Sequence, residues 1–308
     1  MTTDKYLLVI GGPTASGKTA LAIQLAQHFR TDILSCDSRQ FYREMHIGTA
    51  KPTAEERAAA PHHFIDSLSI EQPWSVGDYE RAALALLRKI YAQKNVVILV
   101  GGSGLFIRAV CEGFDEFPEV PEAVSREVRA LFREKGLEAL QSELARLDPA
   151  WFEKVDRQNP VRLMRAIAVS RAAGQPYSSF LNREKQPRFF KPIYIMTDVN
   201  RAVLYEKINQ RVDRMIEQGL VEEARKLFPK RHLNALQTVG YKELFQYFAG
   251  NISLEKAIEL IKRNTRRYAK RQLTWFRNDG KFHPFPPEKT DDIIAFIRAE
   301  MLPDLSVY

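Results

Sequence analysis

Cysteine is nearly absent from this chain. Only Cys36 and Cys111 occur in 308 residues, with no CxxC pair and no Cys/His spacing suited to zinc, which excludes a disulfide framework and a thiolate metal cage. Both read as small buried hydrophobes, and the setting they imply is a reducing cytoplasm. Long apolar runs are missing too. None approaches the ~18–20 residues that span a bilayer, so no membrane role is expected. The opening MTTDKYLLVIGG has too short an apolar stretch for a secretory signal and reads as a first strand. Internal repeats and low-complexity tracts are also lacking. The hydrophobic fraction of 45% is that of an ordinary folded protein, and the length suits one large domain or a core carrying a smaller one.

Acid is scarce in one place. Residues 262–281, KRNTRRYAKRQLTWFRNDGK, hold eight Lys/Arg against one Asp, a local excess of +7 (8 − 1) in a chain of net charge +8. On a helix at about 100° per residue, Arg263, Arg266, Arg267, Lys270, Arg271 and Arg277 share an arc of roughly 140°. Ile261, Thr265, Tyr268, Gln272, Trp275 and Phe276 fall opposite. A solvated face would mix Lys with Glu; this one points to a phosphate backbone. The alternative is that some of these cations turn inward and clamp a diphosphate.

Along the chain, strands are predicted at 5–12, 32–38, 62–66 and 95–102. Between the last two lies a helix with Tyr79, Ala83, Leu86, Leu87 and Ile90 on one side. Alternating strands and helices make βαβ units and a parallel sheet. The rhythm breaks near Gly113, where FDEFPEVPE reads as a hinge, and 122–185 is helical throughout. The sheet resumes at 189–200, and helices follow at 201–228 and 253–278. The fold class is therefore α/β: a P-loop NTPase-like parallel sheet flanked by helices (1–113 and 189–308), with a small all-helical insertion (114–188).

Gly12-Pro13-Thr14-Ala15-Ser16-Gly17-Lys18-Thr19 fits GxxxxGK[ST] between an apolar strand and a helix, the context the motif requires. Its amides and the helix N-terminus cradle phosphates, Lys18 reaches the outer phosphate, and the Thr19 hydroxyl meets Mg²⁺. The usual partner, an apolar strand ending in a metal-holding acid, is missing, because VVILVGG ends in glycines. The strands that do end in acid give Asp37 and Asp66. Asp37, one strand from the loop by sequence order, is either a general base or a turn cap. His62 and His63 point to opposite faces of a strand and read as structural. GGSGLFIRAV (101–110) either lets a substrate approach or packs helix on strand, with Ser103 at its mouth a possible contact. Arg211, beside Asp213 and Arg214, is explained by surface pairing as readily as by function.

Taken together, GPTASGKT (12–19), DSRQFYREMHIGTAKP (37–52), HHFID (62–66), GGSGLFIRAV (101–110), QTVGYKEL (237–244) and RYAKRQLTWFR (267–277) resemble the tRNA dimethylallyltransferase (tRNA isopentenyltransferase) family, bacterial type. The resemblance implies transfer of a dimethylallyl group from dimethylallyl diphosphate to N6 of the adenosine just 3′ of the anticodon, in tRNAs reading codons that begin with U. Residues 12–19 then hold a leaving group, and no acid for ATP hydrolysis is needed. It implies Asp37 as the base that takes the N6 proton. Lys18, the loop amides, Thr19 with Mg²⁺, and Arg211 stabilise the departing diphosphate. It further implies extrusion of the target base and contacts to the tRNA anticodon stem-loop. Those contacts fall at Asp37, Ser38, Arg39 and Gln40; at Ser103; at Val161, Arg162, Leu163, Met164 and Arg165; and at Gln237, Thr238, Val239, Gly240, Tyr241 and Lys242. Arg126 joins them in the insertion, and Arg267, Lys270 and Arg271 meet the backbone. The chain departs from the family at Ser103, often threonine, and at NPVR (159–162), often DPQR. No C-terminal zinc finger follows, unlike eukaryotic relatives, and a monomer is the default expectation. The competing readings are a P-loop kinase of small metabolites or nucleotides, an adenylate isopentenyltransferase acting on free nucleotide, and a non-catalytic RNA-binding module. The cationic segment and the insertion disfavour the first two; Lys18, Thr19 and Asp37 disfavour the last.

Overall fold

The computed structural model describes residues 4–115, 117–181 and 187–301. Residue 116 of the acidic hinge and residues 182–185 of the expected helical stretch lie outside them. The chain divides into two compact units, Met1–Cys111 with Arg188–Tyr308, and Glu112–Pro187.

In the first unit the elements run β1 (Tyr6–Gly11), α1 (Lys18–Phe29), β2 (Ile33–Ser35), α2 (Ala54–Ala59), β3 (His62–His63), α3 (Val76–Tyr91), β4 (Val96–Val100) and α4 (Gly104–Glu112). β1 is buried along its whole length, as a central parallel strand covered on both faces must be. Ser75 and Asp78 close a capping box at the start of α3, whose Tyr79, Ala83 and Leu87 are fully buried. This is the apolar stripe that the sequence periodicity marks.

The second unit is helical: α5 (Glu122–Leu147), α6 (Pro149–Phe152) and α7 (Pro160–Ala173). Gly136, at φ 74°, breaks α5 in the middle. Asn159 accepts from the Arg162 amide and Pro160 follows at the first helical position, so the NPVR stretch is a helix start. Leu140, Leu144, Leu163, Ala166 and Ile167 are fully buried in this unit's core.

After the return come β5 (Lys191–Thr197), α8 (Arg201–Glu217), α9 (Leu220–Leu227), α10 (Tyr241–Phe248), α11 (Leu254–Asp279), β6 (His283–Phe285) and α12 (Thr290–Met301). The sequence predicts one helix over 201–228. Gly219, at φ 97°, splits it into α8 and α9, because only glycine takes that backbone region without strain. The sheet has six parallel strands in the order β3-β2-β4-β1-β5-β6. β6 was not foreseen from the sequence; with Pro284 in its middle it can only be an edge strand, where it lies.

Two corrections bear on the site. The predicted strand 62–66 shrinks to His62–His63, and Phe64 and Asp66 adopt positive φ. β2 is not the neighbour of β1, since β4 runs between them. Asp37 and the phosphate loop are thus separated by the Gly101-Gly102 turn that ends β4.

Candidate active site

The loop after β1 turns on three residues with positive φ: Gly12 at 142°, Ala15 at 62° and Gly17 at 87°. A Cβ on Gly12 would lie 2.2 Å from Thr197 Oγ1, so only glycine fits there. Gly17 caps α1 without a side-chain acceptor, and no acid stands in the first turn. The helix therefore presents bare amides and positive potential at its start. Thr14, Lys18 and Thr19 border a cavity of about 460 Å³, a normal size for a small-molecule site. Gly12, Pro13, Ala15, Ser16 and Gly17 shape the turn instead. Ser16 Oγ is buried, donating to Pro13 O at 2.8 Å and lying 2.6 Å from Thr197 Oγ1. Its hydroxyl is therefore turned away from any phosphate.

Cations crowd one wall of this cavity. Lys18 Nζ donates to Pro13 O at 2.5 Å. Burial pulls its pKa down to about 7, with repulsion from Arg211 adding to the fall and Asp37 opposing it. Arg211 reaches the same space from α8. Its pKa is likewise lowered by burial, against the pull of Asp37. Among the described residues no carboxylate lies within ion-pair distance of Lys18 or Arg211. Asp213, its expected surface partner, pairs with Lys262 at 2.6 Å. Lys18 and Arg211, partly buried with Asp37 as the facing carboxylate beyond ion-pair distance, leave an excess of positive charge that suits a diphosphate.

Opposite stands Asp37, placed by β2 at the carboxyl edge of the sheet, where open α/β folds receive ligands. Its Oδ1 accepts the Arg39 amide at 2.9 Å, a capping bond that leaves its second oxygen free of that duty. Phe41, stacked on Tyr79 with centroids 5.2 Å apart, anchors the turn below, and Tyr79 Oη donates to Ser35 O. The glycine turn between loop and Asp37 is close packing. A Cβ on Gly101 would lie 2.1 Å from Cys36 O, one on Gly102 2.2 Å from Gln272 Nε2, and one on Gly104 2.3 Å from the Trp275 ring. Both readings of GGSG hold: the glycines are close-packed, and Gly101 and Gly102 also border the cavity. Cys36 and Cys111 form no disulfide and are buried in the same core, and burial raises the Cys36 thiol pKa.

The remaining expected residues divide. Ser38, Arg39, Gln40, Gln237, Thr238, Val239, Gly240, Lys242 and Arg271 border the cavity. Arg39 Nη1 is bonded to Asn234 O and Ala235 O, and the Gln40 amide to Ser35, Thr49 and Ala50. Ser103 is not on the cavity wall; its Oγ accepts from the Ser38 amide at 3.4 Å. Tyr241 is fully buried, its phenol donating to Glu223 at 2.6 Å, so its side chain serves packing and not a partner. Leu163 is equally committed to the helical core. Arg126, Val161, Arg162 and Arg165 are exposed and Met164 is half-buried in the helical unit, with Arg165 over the Phe117 ring.

The basic helix also needs correction. Arg263, Arg267 and Lys270 are exposed, but Arg266 bonds Asn209 at 2.6 Å and Arg277 pairs with Asp198 at 3.2 Å. Tyr268, expected on the packing face, instead borders the cavity beside Arg271. Its phenol pKa is pushed up to about 12, first by burial and then by Asp37, so it stays a hydrogen-bond donor at neutral pH.

Sequence reasoning missed three residues. Glu223 accepts the amides of His46, Ile47 and Gly48 at 2.8–3.0 Å as well as Tyr241, yet VEEARK reads as a surface helix. Lys51 has no side-chain exposure and pairs with Asp66, which also holds Arg57; Asp66 is thereby structural. Gln272 gave no signal beyond its place on the packing side. The apolar wall of Ile208, Val212, Met215, Leu220, Val239 and Ile261 is also indistinguishable from core in the sequence.

Known proteins share this arrangement. A family model described as IPPT, IPP transferase, matches residues 40–279. A Flavobacterium johnsoniae protein named tRNA dimethylallyltransferase is 52% identical over 301 residues, covering 95% of this chain and 97% of its own. A Christiangramia forsetii protein of the same name is 49% identical over 97% of this chain and 99% of its own. Among solved structures, the full-length tRNA isopentenylpyrophosphate transferase of Bacillus halodurans superposes with a TM-score of 0.72 at 37% identity, covering 97% of both chains. With the matched segment running from the turn beside Asp37 to the end of α11, and identity sustained over nearly the whole length, this chain belongs to the IPP transferase family.

Proposed function

We propose that this protein transfers a dimethylallyl group from dimethylallyl diphosphate to N6 of the adenosine 3′ of the anticodon in tRNAs reading codons that begin with U, releasing diphosphate. The name tRNA dimethylallyltransferase borne by relatives about half identical over the full length supports it. The observation that carries it is a single cavity that joins the phosphate loop, Lys18 and Arg211, the carboxylate of Asp37 and apolar side chains. A phosphotransferase would need a metal-holding acid at the end of the apolar strand beside the loop, and β4 runs into Gly101-Gly102 instead; a five-carbon allylic diphosphate needs no such acid.

The residues act in sequence. The bare amides of α1, Lys18 and Arg211 bind the diphosphate, and their attraction grows as the C–O bond breaks and charge collects on the leaving oxygen, which is the interaction that speeds the step. The apolar side of the cavity, where Met215 of α8 and the loop residue Val239 are partly exposed, holds the tail and keeps water from the allylic carbon. Asp37 accepts a hydrogen bond from N6 and takes its proton as the N–C bond forms. Among the described residues no group of three His, Cys, Asp or Glu could hold a metal. Mg²⁺ binds through substrate phosphates with few protein ligands, so the Thr19 hydroxyl at the cavity edge fits an ion carried in on the diphosphate, where it would neutralise leaving-group charge. The exposed Arg263, Arg267 and Lys270 of α11 meet the RNA backbone. The protein acts in the cytoplasm, where charged tRNA substrates reside; among the described residues no helix is long and apolar enough to cross a membrane.

The test is incubation with dimethylallyl diphosphate and either unmodified tRNA or free AMP, followed by mass analysis of the nucleosides. Prenylated adenosine in tRNA alone is expected. Prenylation of AMP and not tRNA would reject the acceptor, and ATP consumption without prenylated product would favour a kinase.

A further inference from the structure

We propose that Gln272 is a positioning residue for the transfer: its buried side-chain amide fixes the phosphate loop against the glycine turn and so sets the gap between donor and Asp37. The inference rests on the proposed function above. Gln272 lies on α11, one residue past Arg271, and is 7% exposed. Its Oε1 accepts the Thr14 amide at 2.9 Å, and its Nε2 donates to Gly102 O at 2.9 Å. Both polar ends are thus spent across the crevice between β1 and β4, on two backbones that carry no hydrogen bond to each other at that level beyond Gly101 N to Ile10 O.

Three consequences follow from this geometry. The Thr14 N–H is withheld from the diphosphate, which leaves the amides of Lys18 and Thr19 at the start of α1 to face it. The loop cannot drift toward β5 without breaking a buried bond, and an unpaired buried donor is costly. The third concerns Asp37: β2 is spaced from β1 by β4, and a Cβ on Gly101 would lie only 2.1 Å from Cys36 O. The glycine turn is therefore in rigid register with the residue before Asp37. Gln272 closes that chain from the donor side, in series: Thr14, Gln272, Gly102, Gly101, Cys36, Asp37. A near-attack geometry tolerates misplacement poorly, with about 1 Å costing up to ~100-fold.

The experiment uses the full-length protein with Gln272→Met, which keeps length and shape but makes neither bond, and Gly102→Ala, whose Cβ would lie 2.2 Å from Nε2, the movable tip of the glutamine. Steady-state prenylation of an anticodon stem-loop RNA, calorimetric binding of inorganic pyrophosphate and binding of the RNA are measured on each. The expected result is a fall in kcat of about 10-fold or more in both variants, weaker pyrophosphate binding, and RNA affinity within twofold of the parent. Parent-like kcat in either folded variant would overturn the proposal, as would a parallel loss of RNA affinity, which would mean that α11 itself is disturbed. If one variant fails to fold, the other decides. Should the parent protein neither prenylate nor bind pyrophosphate, the proposed function fails instead, and the two failures are told apart.

Discussion

Lys18 offers the sharpest quantitative test. In the free protein its pKa is about 7, held down by burial and by Arg211. A bound diphosphate supplies the missing counter-charge and raises that pKa well above 8. The sign follows: well below pH 7 Lys18 is already charged and binding takes up little proton, whereas well above pH 7 most binding events must protonate it. With a free-state pKa of about 7, about 0.9 proton is taken up at pH 8 and about 0.1 at pH 6. Affinity correspondingly falls about tenfold between those values, or ~1.4 kcal/mol. Calorimetry of dimethylallyl diphosphate binding in two buffers of different ionisation enthalpy reads the uptake directly. The ligand's own titration is common to the parent and to Lys18→Met, so it cancels in their difference. If Lys18→Met takes up as much proton at pH 8 as the parent, the ammonium is not the group that titrates, and the picture of a buried lysine charged by the bound diphosphate is wrong.

Three further outcomes are expected. Asp37→Asn should lower kcat by ~100-fold or more with RNA affinity nearly unchanged; turnover within threefold of the parent removes Asp37 as the base. Arg267→Gln with Lys270→Gln should weaken RNA binding and reduce the slope of log K against log salt by about 1.5. Arg271→Gln, facing the cavity, should instead raise the donor KM, and equal salt slopes in the two variants would refute this division of the helix. Gly101→Ala forces a Cβ against the Cys36 backbone and should cost about 3 kcal/mol in denaturant unfolding; a loss below ~0.5 kcal/mol would show that β2 and β4 are not locked there.

Much of the site was legible because it is local. Residues 12–19 carry their own conformation: Gly12 and Gly17 take backbone angles that other residues avoid, and an apolar strand before and a helix after put the loop at the sheet's edge. Asp37 was legible as a strand-end carboxylate for the same reason. The basic segment was legible only in sum. Which of its cations face water, the core or the cavity depends on α8 and β5, whose Asn209 and Asp198 claim Arg266 and Arg277. Arg211 could not be separated from a surface pair until Asp213 was seen to bond Lys262.

Sequence alone determined the alternation of strands and helices, the helical insertion, the phosphate loop and the carboxylate, since each depends on periodicity or backbone freedom within a few residues. Tertiary structure decided the rest. It inserted β4 between the loop and Asp37, committed Tyr241 and Leu163 to packing, turned Tyr268 toward the cavity, and recruited Gln272 and Glu223 to hold distant backbones. The physical reason is that a side chain's partner is set by whichever element packs beside it, and that pairing spans tens to hundreds of residues without leaving a periodic trace.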